Sequence, residues 1–291
     1  MISKVSRNHL TIALAAALLV ALLALVPALA APQADPIIYK VYVTDLTDGS
    51  FVVSWTTDIA SDGKVTWGAS KPPTTIVTDT VASTTTHWVK ISGLSANSTF
   101  YFQVSSGATV DNNSGAYYQA TTGSTLSLPS PGKSVWGYMY QNDGTTSVPN
   151  AIVYLQIQNN NSSGSQGSSQ WVTKRTDGAG VWSYDIVNVR TSDLSAYYTF
   201  TNGDDNLRIV GQGGSLGTKG ADPSPWIIAV PSTYPSQNNI ILNSGPTAVK
   251  MVNLTAHSAK PQVALPILAL VSAGLVAGIW LWRKKELRKV D

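Results

Sequence analysis

The stretch SFVVSWTT, residues 50–57, alternates apolar and polar side chains. Successive side chains of a strand point to opposite faces, so Phe51, Val53 and Trp55 share one face. That face is expected to be core, with Trp55 its largest member. Similar short runs lie around it: IIYKVYVTDL (37–46), GKVTWG (63–68), TTIVTD (74–79), HWVKISGL (87–94), TFYFQVSSG (99–107) and AYYQATTG (116–123). Gly, Ser, Asn and Asp separate the runs, and helical periodicity is nearly absent between the two chain ends. This pattern predicts an all-β chain built of sandwiches.

The runs fall into two groups, which predicts two consecutive β-sandwich domains over residues 35–123 and 133–243. The stretch between them, STLSLPSPG (124–132), is rich in Ser and Pro and uncharged, and reads as a linker. In the second group, SVWGYMY (134–140) and AIVYLQI (151–157) are strand candidates. Asp177 to Gly180 reads as a hairpin turn, because Asp bonds its own backbone and Gly accepts positive φ. Trp182, Tyr184 and Ile186 then alternate onto one face. NNNSSGSQGSSQ (159–170) reads as a mobile polar loop, and GQGGSLGTKGADPSPW (211–226) as a long connection without an assignable element.

On Trp55 in the second strand and GLSANSTFYFQV (93–104), the first group resembles a fibronectin type III domain. The resemblance implies an immunoglobulin-like sandwich. Leu94 matches the family pattern, while Ala96, Ser98 and Phe100 replace its proline, threonine and tyrosine. Phe100 has no hydroxyl, so the family's tyrosine-corner hydrogen bond cannot form as usual. With SDGKVTWG (61–68), the same group is also similar to the β-domain that precedes the catalytic domain of purple acid phosphatases. A two-metal phosphatase needs many His and Asp ligands, and this chain has three histidines in all, so that resemblance implies a fold and not the activity. The second group resembles the carboxypeptidase regulatory-like domain, a prealbumin-type sandwich. The matching residues are Val135, Gly137 and Met139, then Pro149, Ala151, Val153 and Leu155, then Thr176, Asp177, Gly180 and Trp182.

Both ends are different. Lys4 and Arg7 precede an uncharged run that closes on small residues, which predicts a signal peptide over 1–30. After a stalk (244–260), residues 261–282 are 22 uncharged residues, enough for a helix of about 33 Å across a bilayer. Trp280 and Trp282 suit an aromatic belt. The basic tail (283–291) is expected in the cytoplasm, which makes the chain a single-pass type I protein of the cell membrane. The signal segment holds two basic residues and the tail five basic and two acidic, leaving 12 basic and 14 acidic between them. The net positive charge therefore belongs to the ends, and a nucleic-acid partner is not expected. With no cysteine, thiol catalysis and thiolate metal sites are excluded.

No residue set predicts catalysis, a cofactor or a metal. Gly213 to Gly217 fits G-x-S-x-G, but no helix can follow it, and the only later histidine is His257 in the stalk. His87 is expected at the surface or at a strand end. All 14 acids between the ends are Asp, mostly in turn contexts; Asp204 and Asp205 lack the spacing of a calcium loop. The candidate ligand-binding residues are Trp136, Tyr138 and Tyr140. If Val135, Gly137 and Met139 face the core, these three form an aromatic stripe on the other face, suited to a protein or glycan partner. The competing reading is cross-strand packing or burial under a neighbouring domain. Gly274 and Gly278 form a G-x-x-x-G in the span, a candidate for homodimer packing. Asn97 and Asn253 head glycosylation sequons. The expected function is a surface interaction or adhesion protein. A structural spacer or accessory subunit of an envelope complex is the alternative, and an exported hydrolase a weaker one.

Overall fold

The computed structural model describes residues 34–127, 132–220 and 225–243, all within one compact unit. The predicted signal segment, stalk, membrane span (with Gly274 and Gly278) and basic tail lie outside the described residues, as do residues 128–131 of the predicted linker. Among the described residues, no helix is long and apolar enough to cross a membrane. The described chain is all-β apart from two 3-10 turns, Ile186–Asn188 and Gly214–Leu216.

Residues 34–127 form β1 (Ile38–Thr44), β2 (Ser50–Ser61), β3 (Gly63–Gly68), β4 (Thr75–Thr78), β5 (Thr84–Ser92), β6 (Thr99–Ser106), β7 (Thr109–Asp111) and β8 (Tyr118–Thr121). One antiparallel sheet runs β1-β2-β5. The other runs β4-β3-β6-β7, with β8 also paired to β6. Phe51, Val53 and Trp55 point between the sheets, as the alternation predicts, and meet Val65, Phe100, Phe102 and Val104 of the facing sheet. Trp55 is completely buried and donates its indole N–H to Ser106 Oγ at 2.8 Å. Burying a large ring without orphaning its donor makes it an efficient core anchor. Phe100 is buried and packs edge-on against Trp67, so the missing hydroxyl is replaced by ring contact.

Residues 132–243 form β9 (Ser134–Tyr140), β10 (Ile152–Gln158), β11 (Val172–Arg175), β12 (Val181–Asp185), β13 (Asn206–Gln212), β14 (Thr218–Lys219), β15 (Trp226–Ala229), β16 (Ser236–Gln237) and β17 (Ile240–Ile241). The sheet β11-β10-β13-β14, with β15 on β13, faces a second sheet centred on β9. In that second sheet β12 pairs antiparallel to β9, while β16 and β17 return parallel to it on the other side. Val135, Met139, Val153, Leu155, Trp182 and Ile209 fill the space between. At Gly137 the returning chain comes so close that a Cβ would collide with the Asn238 carbonyl, so only glycine fits.

The linker does not leave the two sandwiches apart. Ile152 to Ile157 are buried on both faces. The outward face of β10 and β11 lies against the outward face of β1, β2 and β5, through Ser54 Oγ to Tyr154 OH (2.9 Å), Thr44 to Thr173 (3.0 Å) and Trp88 Nε1 to Thr173 (3.0 Å). Four sheets are therefore stacked in one body.

Three local readings change. The turn at Asp177 is built as expected: the Asp177 carboxylate accepts from the Ala179 and Val181 amides, and Gly180 has φ +78°. However, β11 and β12 belong to different sheets, so it is a corner between layers and not a hairpin. His87 is fully buried against Trp55, and a side chain at Gly63 would occupy the space its ring needs. The polar stretch 159–170 is tied down by Asp205, which is completely buried and accepts from the Asn160 and Thr201 amides.

Candidate functional site

Two places concentrate side chains that the cores do not use: the free face of the outermost sheet and the seam between the sandwiches.

On the free face, β9 runs between β12 and β16–β17. Its inward residues Val135, Gly137 and Met139 are buried and its outward residues Trp136, Tyr138 and Tyr140 are half-buried, as period-two alternation requires. The three rings form a ladder. Trp136 meets Tyr138 edge-on with centroids 6.0 Å apart, and Tyr138 stacks on Tyr140 at 5.8 Å. Flanking positions are modest in size: Ser183 sits opposite Trp136, Val181 opposite Tyr138, and the exposed Ile241 opposite Tyr140. The ladder is thus an apolar strip whose rings pack on one another along the strand.

The seam is polar and heavily bonded. Arg175 grips Asp79 with both guanidinium nitrogens at 2.6 Å, and the Asp79 side chain has no solvent exposure. Asp79 also accepts from the Val81 and Trp88 amides. His87 Nδ1 stands 3.7 Å from the same carboxylate, too far for a hydrogen bond. Burial pushes the Asp79 carboxyl up, but the Arg175 guanidinium and the amides outweigh it and hold it well below the usual carboxylate range. Asp45 is the opposite case. Burial pushes it above its ordinary value, although it accepts from Thr173 N, Thr173 Oγ1 and Tyr184 OH. A second guanidinium, Arg190, reaches Asp48 and the Ser124 carbonyl at the linker.

Of the residues singled out by sequence, Trp136, Tyr138 and Tyr140 are brought together. Asp204 and Asp205 are adjacent but Asp205 is consumed by backbone amides. Gly213 to Gly217 makes a tight 3-10 turn packed on the first sandwich: a side chain at Gly214 would strike Thr85, and the Ser215 amide donates to Thr85 Oγ1. Its serine is an interface residue. Asn97 is exposed in the turn between β5 and β6. Among the described residues no group of three or more His, Cys, Asp or Glu could hold a metal ion. Sequence reasoning missed the seam residues Asp45, Asp79, Arg175 and Arg190. One signal was available: IVYLQI in β10 is apolar on both faces, which is how a strand buried on both sides reads.

No known protein family and no curated protein matches this sequence. Among solved structures, a computationally redesigned β-sandwich protein is 20% identical, covering 32% of this chain and 99% of its own, with a TM-score of 0.25. PhoD is 14% identical over 38% of this chain and 24% of its own (TM-score 0.28). The backbone protein of the group B streptococcus pilus 2b is 10% identical over 71% and 98% (TM-score 0.24). At these identities and scores they add nothing about what this chain does.

Proposed function

We propose that this chain is a membrane-anchored, single-pass type I surface protein. It presents two β-sandwiches outside the cell, immunoglobulin-like and then prealbumin-like, and holds a protein or glycan partner there. It works by binding, without a catalytic step or cofactor. The carrying observation is the aromatic ladder Trp136–Tyr138–Tyr140, which lies on the bare outer face of the last sheet, beside the strand from which the chain leaves at Asn243. Half-buried rings in a strip, with the exposed Ile241 at one end, form a contact surface of the kind that binding proteins use. The grouping of β1, β2 and β5 against β3, β4 and β6–β8 supports the immunoglobulin-like reading. The buried Val135, Gly137 and Met139, with the Asp177 corner, support the prealbumin-like one.

The experiment has two arms. Protease applied to intact cells should remove residues 34–243 and spare the tail. Full-length protein, captured with its bound material, should lose its partner in Trp136→Ala at unchanged abundance. A tail cleaved from outside, or a partner indifferent to Trp136, Tyr138 and Tyr140, rejects the proposal. One observation favours a second reading, a rigid spacer in an envelope complex: the seam joins the sandwiches into one body, as a strut requires. A spacer would keep its complex when the ladder is removed and lose it when the seam is broken. Dimerisation through Gly274 and Gly278 belongs to the same proposal, and a membrane association assay in which Gly278→Ile changes nothing would remove it.

A further inference from the structure

His87 is completely buried and stacks on Trp55 with centroids 4.9 Å apart. Gly63 makes room for it: a Cβ there would strike Nδ1 of the ring. The two ring nitrogens are placed unequally. Nε2 lies 3.3 Å from Thr57 Oγ1 and 3.4 Å from Ser61 Oγ. The Thr57 hydroxyl gives its hydrogen to the Ile59 carbonyl at 2.8 Å, so toward the ring it is an acceptor, and Nε2 carries the proton of the neutral imidazole. Nδ1 is then bare. It has no hydrogen-bond partner, and it stands 3.7 Å from Asp79 Oδ2. A lone pair set against a carboxylate is repelled by it; a proton on Nδ1 turns the same contact into an attraction.

Arg175 opposes that proton. Asp79 Oδ2 already accepts from Arg175 Nη2 at 2.6 Å and from the Trp88 amide at 3.0 Å. Oδ1 accepts from Arg175 Nη1 at 2.6 Å and from the Val81 amide at 3.0 Å. A carboxylate offers about four lone-pair sites, so the set is full. His87 and Asp79 belong to the first sandwich, whereas Arg175 comes from β11 of the second. Two cations that address one buried carboxylate repel each other, and each weakens the hold of the other. Around the ring, β2 presents Trp55, Thr57 and Ser61, β3 presents Gly63, and the flanking residues on β5 are Thr86 and Trp88, none of them charged. Asp58 and Asp62, close in sequence, are exposed and accept from backbone amides, and Lys64 is exposed. The charges that bear on His87 are therefore Asp79 and, through it, Arg175.

We propose that His87 is a standby counter-ion that makes the seam open more easily in mild acid. While the seam is closed, Arg175 holds Asp79 and the ring stays neutral. When Arg175 withdraws, Asp79 is left as a buried carboxylate without a cation, a costly state. A proton taken from solvent at Nδ1 then supplies the cation from inside the first sandwich; the only covalent change is that N–H bond. The sign follows from linkage. The open form binds a proton that the closed form does not, so opening is favoured as the pH falls through the range in which imidazoles titrate, about pH 5 to 8. By reciprocity, the docked Arg175 disfavours the proton as much as the proton disfavours docking. Asp45, the other buried carboxyl at the seam, acts in the opposite sense: burial raises it in the closed form, so its protonation favours closure. The joint is thus firm at neutral pH and looser in mild acid, independently of the aromatic ladder.

The test is an NMR titration of the full chain in detergent micelles, with carbon-13 at histidine Cε1. The three histidines give three signals, and that of His87 is the one missing in His87→Gln. Arg175→Gln removes the competing cation and should raise the His87 titration midpoint by about one pH unit or more; adding Asp79→Asn should abolish the rise. The parent gives an independent reading, because Trp88 donates its indole N–H across the seam to Thr173. Its protection from hydrogen exchange, corrected for the intrinsic rate at each pH, should fall about three-fold or more between about pH 8 and about pH 5.5, and the fall should be absent in His87→Gln. A midpoint that Arg175→Gln leaves unchanged or lowers overturns the proposal, and so does a rise that survives Asp79→Asn. If Arg175→Gln does not fold, the parent decides: protection that stays constant or grows toward acid overturns the proposal, as does a fall that persists in His87→Gln. Trp136→Ala should alter none of these readings, so a ladder that fails its own pull-down leaves them standing.

Discussion

The strands β9 and β10 are the centres of the two sheets of the second sandwich, and each carries aromatic side chains on its outward face. On β10, Tyr154 is buried, bonded to Ser54 and packed on Tyr42. On β9, Trp136, Tyr138 and Tyr140 stack on one another, with Ser183, Val181 and Ile241 at the paired positions. The inward faces are alike; the difference is what covers the outside. A tyrosine whose hydroxyl meets a partner across a seam belongs to the architecture. A ring ladder that stays partly exposed keeps some apolar surface available for something else. The seam achieves its closure with polar groups, and burying those groups is favourable only while every one keeps its partner.

The largest effect should follow from breaking that rule at Asp79. Arg175→Ala leaves a buried carboxylate without its cation and should cost about 3–5 kcal/mol in chemical denaturation. The double variant Asp79→Asn/Arg175→Met should recover most of the loss, because it removes both charges together. The same pair sets a pH dependence. Asp79 is depressed in the folded state from an ordinary value of 3.8. Its contribution is therefore present above that pH and is lost as the pH falls below it. Asp45, raised by burial, works in the opposite sense and offsets part of that loss. Asp79→Asn should flatten the acid limb of a denaturation-midpoint profile; an unchanged profile would deny the pair its role.

On β9, Gly137→Ala forces a methyl group against the Asn238 carbonyl and should cost about 1–3 kcal/mol by overpacking, read as a lower melting temperature. Tyr154→Phe removes one hydrogen bond and leaves Ser54 buried without it, a loss of about 1 kcal/mol. Trp136→Ala should fall within about 0.5 kcal/mol of the parent, the range of surface substitutions, while abolishing partner capture. Should Trp136→Ala prove as damaging as Tyr154→Phe, the contrast between the two strands disappears and the ladder is structural.

Much of the fold was readable because it depends on local alternation. The period-two pattern placed Phe51, Val53 and Trp55 inside, and separated Val135, Gly137 and Met139 from Trp136, Tyr138 and Tyr140, as the burial shows. Information that is not local was lost. Thr173 and Arg175 in β11, and Asp45 just past β1, look like ordinary surface residues in sequence, and their partners lie 85 to 129 residues away. A turn signal such as Asp177 to Gly180 specifies a reversal but not whether the next strand joins the same sheet. His87 carries no neighbour in sequence that would reveal the cavity between Trp55 and Gly63. The ladder was legible as a face, and its exposure needed the structure.

The parallel return of β16 and β17 along β9 has a mechanical consequence. The second sandwich begins with β9 and ends with these strands, and its two ends therefore lie at opposite poles of one strand pair. Tension between them drags the pair lengthwise, so the links from Asn238 N to Trp136 O and from Leu242 N to Tyr140 O are strained together. Bonds loaded side by side yield at a higher force than bonds peeled in turn, so this edge of the sandwich resists being unzipped by a pull on its two ends.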